Sequence, residues 1–142
     1  MSTSIAVPFT FSGGALQTTD DPHTIARQEI LDVIMTNKYE RVMLPYYGAA
    51  TRRLLFQHLD SLVVADYEEE TLDILNRHLS NSRAMSITVT GTSPDGAWSG
   101  PGDPEATLYV NVQYQLNSDP NTPASVSISV VNPRSINSLT QV

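Results

Sequence analysis

Cysteine is missing from all 142 residues. No disulfide can staple this chain, and no thiolate can hold a metal. Basic residues are scarce as well: 8 Lys and Arg stand against 15 Asp and Glu, a formal charge of −7. They are scattered as Arg27, Lys38, Arg41, Arg52, Arg53, Arg77, Arg83 and Arg134. Only Arg52 and Arg53 are adjacent, which reads as a solvated helix face. Binding of phosphate backbones needs a basic patch, so nucleic acid is not an expected partner. No run approaches the ~18 apolar residues of a membrane-spanning helix, so no membrane partner is expected. The first residues have neither a basic start nor an apolar core, so they do not read as a secretory signal. The histidines His23, His58 and His78 stand alone, without the spacing of metal ligands. There is no glycine loop to cradle phosphate and no Gly-x-Ser-x-Gly turn. No metal and no other cofactor is expected.

Carboxylates are plentiful, but their pattern does not favour catalysis. Glycoside hydrolysis needs two carboxyls facing each other across a cleft, one kept protonated by its surroundings. Asp20-Asp21 reads as a helix cap. Glu29 and Asp32 share one exposed helix face, and Glu68-Glu69-Glu70 reads as a solvated run. No catalytic residue is expected.

What is present is enough for one core. Hydrophobic residues make up 40% of the chain, and the length fits a single domain over 1–142. Ile5, Val7, Phe9 and Phe11 alternate with strand period, but Pro8 lacks a backbone donor, so residues 1–12 read as an edge strand or extended arm ended by Ser12-Gly13-Gly14. Asp21 as N-cap and Pro22 at the first helical position open a helix running to Thr36, with Ala26, Ile30, Val33 and Ile34 inward. After an irregular link, Gly48 frees a turn into a short helix from Ala49 to Leu59, with Leu54, Leu55 and Phe56 inward. A longer helix spans Leu62 to Leu79, burying Val63, Val64, Tyr67, Leu72, Ile74, Leu75 and Leu79 and leaving Glu68, Glu69, Glu70 and Asp73 to solvent.

After Arg83 the period changes from 3.6 to 2. Met85, Ile87 and Val89 form one inward set, Leu108 to Leu116 a second, and Val126, Ile128 and Val130 a third. These predict an antiparallel meander with one buried face. A long Pro- and Gly-rich loop, Gly91 to Pro104, carries the single Trp98 and reads as a partner contact or a lid on the sheet. The fold class expected is α+β: about three helices, over 22–80, on one face of a small C-terminal sheet, over 84–132, with an N-terminal arm.

The most informative stretch is Thr36-Asn37-Lys38-Tyr39-Glu40-Arg41-Val42-Met43-Leu44-Pro45-Tyr46-Tyr47-Gly48, followed by Leu54-Leu55-Phe56. Glu40 and Arg41 sit among apolar and aromatic residues, where burial would demand pairing. They read as a bond that locks the corner between two helices, or as anchors for another protein, where Arg is favoured. Tyr46 and Tyr47 divide between interface and core. Arg83 reads as a cation complementing a helix C-terminus, or as a partner contact. Ser125, Ser127 and Ser129 fill the outward positions of a weakly charged strand, suited to lying beside a neighbour or to accepting a strand from another chain.

This stretch resembles the baseplate wedge and sheath-initiator family of contractile phage tails, the lysozyme-like wedge proteins. The family pattern runs from a helix ending in Ile-Leu-x-Thr through Gly-Glu-Arg-Val-Met-x-Pro-x-Phe-Gly to Leu-Leu-Phe. Glu40, Arg41, Val42, Met43, Pro45, Gly48, Leu54, Leu55 and Phe56 match in order and spacing. Tyr39 replaces the usual Gly, which implies a less permissive backbone angle, and Tyr47 replaces Phe. The apolar-Pro-Phe opening is matched by Ile5 to Phe9. The family's Glu-Pro-Arg becomes Asn81-Ser82-Arg83, keeping only the Arg. The resemblance covers roughly Ile5 to Val130.

The resemblance implies a structural, non-enzymatic part of a virion tail baseplate, assembled in host cytoplasm. Its partners would be the tail sheath protein, other wedge proteins and the tube end, in sixfold arrangement. It would template the first sheath ring through its C-terminal strands. Glu40, Arg41, Pro45, Tyr47, Arg83, Ser125, Ser127 and Ser129 are then the candidate partner-binding residues. The alternatives are a peptidoglycan-hydrolysing tail enzyme and an adaptor of a non-phage contractile injection system.

Overall fold

Asp21 opens helix α1 (Pro22–Met35), its side chain accepting the Thr24 N–H at 3.2 Å with Pro22 just inside the helix. In the computed structural model, which describes residues 3–6, 9–57, 59–92 and 107–131, α1 buries Ile25, Ala26, Ile30, Val33 and Ile34. Thr36 is its extended C-cap.

The second helix is shorter than expected. α2 (Thr51–Leu54) is a single turn, because the chain before it is pinned to α1. Ala49 donates its N–H to Val33 O, and the Thr51 hydroxyl bonds to Ile34 O and the Tyr67 hydroxyl. Leu54 and Leu55 are buried, but Phe56 is 56% exposed rather than inward. α3 (Ser61–His78) follows, capped by Asp60, with Arg77 and His78 in the last turn complementing the helix dipole. Arg83 lies beyond that turn, so the cation-at-helix-end reading passes to these two residues.

The sheet is the expected antiparallel meander. β5 (Ser82–Thr92), β6 (Thr107–Leu116) and β7 (Pro123–Val131) lie in the order β5-β6-β7. Its inner face carries Ile87, Val89, Leu108, Val110, Val112, Tyr114, Leu116, Ile128 and Val130, all buried with the apolar stripes of the helices. The chain is therefore α+β, with three helices on one face of the sheet. One parity expectation fails at Met85. The register jumps between Ala84 and Ser86, so a bulge places Ala84 inward and leaves Met85 53% exposed.

The N-terminal arm is folded rather than extended. β1 (Ser4–Ile5) pairs with β4 (Thr18–Thr19), and β2 (Phe11–Ser12) with β3 (Ala15–Leu16). Gly13 and Gly14, at φ 61° and 83°, form the hairpin turn instead of simply ending a strand. Two adjacent positive φ values are what a tight two-residue hairpin requires. Phe9 and Phe11 remain largely exposed on it. Val7, Pro8, His58, the loop with Trp98, and the stretch from Arg134 lie outside the described residues.

Candidate protein-docking surfaces

Two surfaces gather the candidate residues. The first is the corner between α1 and α2, and a short set of bonds fixes its backbone. Glu40 accepts the Asn37 N–H at 2.7 Å, and Tyr39 donates to Pro45 O at 2.8 Å. Leu44 donates to Arg41 O, and Tyr47 to Leu44 O. Glu40 is thus bonded within its own turn rather than to Arg41.

Arg41 reaches back to α1. Its Nη2 donates to Asp32 Oδ2 at 2.6 Å, and the Tyr47 hydroxyl donates to the same oxygen at 2.6 Å. Burial raises the Tyr47 phenol well above its ordinary value, and the Asp32 bond adds to that rise. His78 meets the same ring edge-on, with centroids 4.8 Å apart. Asp32 is therefore the hub of the corner. Asp32 is exposed, as its helix face predicts, and nothing in its spacing from Arg41 and Tyr47 signals that it binds both.

Two backbone positions complete the corner. Gly48 has φ 110°, and a Cβ there would fall 2.4 Å from Thr36 O. Only glycine lets the two chain segments approach so closely. Tyr39 takes φ 65°. The expected change of angle is absent: tyrosine adopts the left-handed conformation itself, held by its bond to Pro45 O and by ring contact with Tyr46 at 6.1 Å.

This frame carries apolar side chains outward. Val42 is 94% exposed and Met43 89%, with Tyr46 also in solvent. The sequence sets Glu40 and Arg41 among apolar groups, where burial would demand pairing. The structure places both kinds outside, and only Tyr47 turns into the core.

The second surface is the free side of the sheet. Its described strands contain one charged residue, Arg83, which is exposed and lies opposite Gln115. Ser125, Ser127 and Ser129 are exposed on the same outward face, opposite Gln113, Asn111 and Tyr109.

The two edges of the sheet differ. Along β5, Glu68 of α3 accepts the Val89 N–H at 2.9 Å, and Asn76 accepts the Ala84 N–H at 2.9 Å. Glu68 is thus not a solvated bystander; it helps cover an edge. These two guards were illegible in the sequence, where they sit on the polar side of a helix.

The bond to Val89 also fixes the hydrogen-bonding phase of the meander. The Val89 N–H points away from β6. In an antiparallel ladder, N–H and C=O of one residue point the same way and alternate along the strand. Val89 faces Val110, and Val110 faces Ile128. Val110 therefore turns its polar backbone to Ile128. Ser125, Ser127 and Ser129 turn theirs to the outer edge, where no strand pairs with them among the described residues.

The candidates do not form one site. Arg41 and Tyr47 meet at Asp32, Glu40 and Pro45 hold the loop, and Arg83 and the serines lie on the sheet. Among the described residues, no group of three or more His, Cys, Asp or Glu is placed to hold a metal ion.

The fold is shared with two solved structures. It is similar to a proposed tail lysozyme from Geobacter sulfurreducens, with TM-score 0.60 and 18% identity over 80% of this chain and 93% of that one. It is also similar to a chain of the sixfold-symmetrised baseplate of the anti-feeding prophage, with TM-score 0.57 and 13% identity over 99% of this chain and 94% of that one. No family model matches the chain, and no curated protein matches it in sequence.

Proposed function

We propose that this chain is a structural part of a contractile-tail baseplate that joins the wedge to the tube end and receives a strand of the first sheath ring on β7. The observation that carries the reading is the difference between the two sheet edges. One is covered by Glu68 and Asn76. The other presents the backbone of Ser125, Ser127 and Ser129 with no strand beside it among the described residues. Exposed edges are pairing templates, and proteins normally cover or charge them. Here β7 carries no charge, which suits strand addition through main-chain bonds.

The likeness to the anti-feeding prophage baseplate supports the setting. The particle-bound tail baseplate, the sixfold arrangement and the partners (tail sheath protein, other wedge proteins, tube end) are part of the proposal. The corner from Glu40 to Tyr47, with Val42 and Met43 at its tip, is assigned to the wedge side. An adaptor of a non-phage contractile injection system is the alternative setting for the same fold.

The hydrolase alternative has weaker support, despite the likeness to a proposed tail lysozyme. Glu29 is bonded to Ser80, and Asp32 to Arg41 and Tyr47. The pair serves different structural partners rather than one cleft.

The test is Ser127→Pro in tails that depend on this chain. The variant is expected to enter baseplates that fail to add sheath. Normal sheath growth on it would contradict the strand role, and cell-wall cleavage by the purified chain would favour the hydrolase.

A further inference from the structure

β7 spans 9 residues, Pro123–Val131, with Ser127 at its midpoint. Ser125, Ser127 and Ser129 turn their backbone groups to the free edge and hold their side chains on the outer face. A second β7, laid antiparallel about Ser127, sets Ser127 opposite its own copy, Ser125 opposite Ser129, and Val126 opposite Ile128. Directly opposed residues of an antiparallel pair share a face, and alternate pairs exchange two bonds. Every edge-turned serine therefore meets an edge-turned serine, and every apolar residue meets an apolar one. The overlap runs the full strand, with about six main-chain bonds from the serine pairs. Pro123, at the strand end, has no N–H to give.

The twofold axis of this pair stands perpendicular to the sheet, so the helix-facing sides of both copies stay on one side. A parallel twofold pair would join the inner face of one copy to the serine face of the other. Burial favours the antiparallel pair as well. Helix α3 packs on β5 and α1 on β6, while Ala124 and Val126 of β7 stay half-buried. In the antiparallel pair, Val130 and Ile128 of the second copy lie directly beside them. They cover apolar surface that the chain's own helices leave open. No charge on β7 opposes the contact. The net charge of −7 on each copy does oppose it, so the pair is weak, tightens with salt and yields to a competing strand.

We propose that a second copy of this chain occupies the β7 edge when no partner strand is present, as a twofold β7–β7 pair centred on Ser127. This rests on the free-edge reading of β7 under the proposed function and adds regulation to it. Self-pairing shields the edge before assembly, and an incoming strand must displace it.

The test is sedimentation velocity of the whole chain over a concentration series reaching roughly millimolar. The expected result is a reversible monomer–dimer equilibrium that tightens with added salt. Ser127→Lys and Ser127→Glu each set like charges together at the axis, and each is expected to weaken the dimer roughly fivefold. Their equimolar mixture sets a lysine against a glutamate and should regain at least the wild-type strength. A foreign strand has no second copy of this position, so rescue by mixing is specific to self-pairing. Both substitutions fall on an exposed outward position, and circular dichroism checks their fold. A chain that stays monomeric throughout, a dimer untouched by both variants, or a mixture no tighter than either variant alone would overturn the proposal. Sheath growth reads the strand role separately. A monomeric chain whose baseplates add sheath overturns the self-pairing alone, and a dimeric chain whose baseplates stay bare overturns the sheath role alone.

Discussion

The guanidinium carbon of Arg41 lies 4.0 Å above the ring centroid of Tyr47, and both side chains donate to one oxygen of Asp32. This arrangement ties the corner to α1 by charge, stacking and a phenol bond. Arg41 and Asp32 are 42% and 49% exposed as side chains, so solvent screens their attraction. Arg41→Ala is expected to cost about 1 kcal/mol or less, and Tyr47→Phe about 1 kcal/mol. Arg41→Lys keeps the charge but loses the flat stacking group, so it should behave more like Arg41→Ala than like wild type. Urea unfolding of the three variants measures this.

Two of the three positive-φ positions of the corner, Gly48 and Tyr39, should respond in opposite ways. Gly48→Ala forces a Cβ against Thr36 O at an angle that L-residues rarely adopt. It is expected to cost roughly 3 kcal/mol. Tyr39→Gly relieves about 1–2 kcal/mol of left-handed strain but adds chain entropy of about 0.5–1 kcal/mol and loses the Tyr46 contact. Its stability should stay within ~1 kcal/mol of wild type. Thermal unfolding of both variants distinguishes a tight approach from a tolerated angle.

Proline substitution along β7 tests the hydrogen-bond phase. The Ser127 N–H points to the free edge, so Ser127→Pro leaves the ladder to β6 intact. The Ile128 N–H points to Val110, so Ile128→Pro removes a ladder bond as well as a buried side chain and should cost roughly 2–5 kcal/mol. Circular dichroism should show a folded Ser127→Pro and a weakened Ile128→Pro. The reverse order would mean that the opposite set of residues faces the edge.

Alkaline stability should depend on two phenols. Burial raises both Tyr47 and Tyr67. The Asp32 bond adds to the rise at Tyr47, and the bond to Thr51 opposes it at Tyr67. A folded value above the unfolded one means that the fold favours the neutral phenol. That stabilisation is fully present below the ordinary value of about 10 and is lost as pH rises through the folded value. Ultraviolet titration should show two phenols ionising late, together with unfolding. Tyr47→Phe and Tyr67→Phe should each remove part of that late step.

Much of the fold was legible because its signals are local. Asp21-Pro22 marked the start of α1, and apolar alternation marked all three long strands. The failures share one physical cause: a tertiary contact overrode a local pattern. Backbone bonding to α1 shortened α2, and a bulge moved Met85 out of the inward set. Adjacent glycines folded the arm into a hairpin. The candidate surfaces were legible as residue types but not as geometry. Glu40-Arg41 looked like a pair, yet Glu40 bonds Asn37 and Arg41 bonds Asp32. The serines suited either a neighbouring strand or a strand from another chain, and the Glu68 contact with Val89 fixes which backbone groups reach the edge.

The most direct test of the strand role is a cryo-EM map of the assembled particle that contains this chain. The predicted result is density for the chain at the junction of tube and sheath, with a foreign strand hydrogen-bonded to Ser125, Ser127 and Ser129. A bare β7 edge in a sheathed particle, or the chain seated at a tip facing the cell wall, would contradict it.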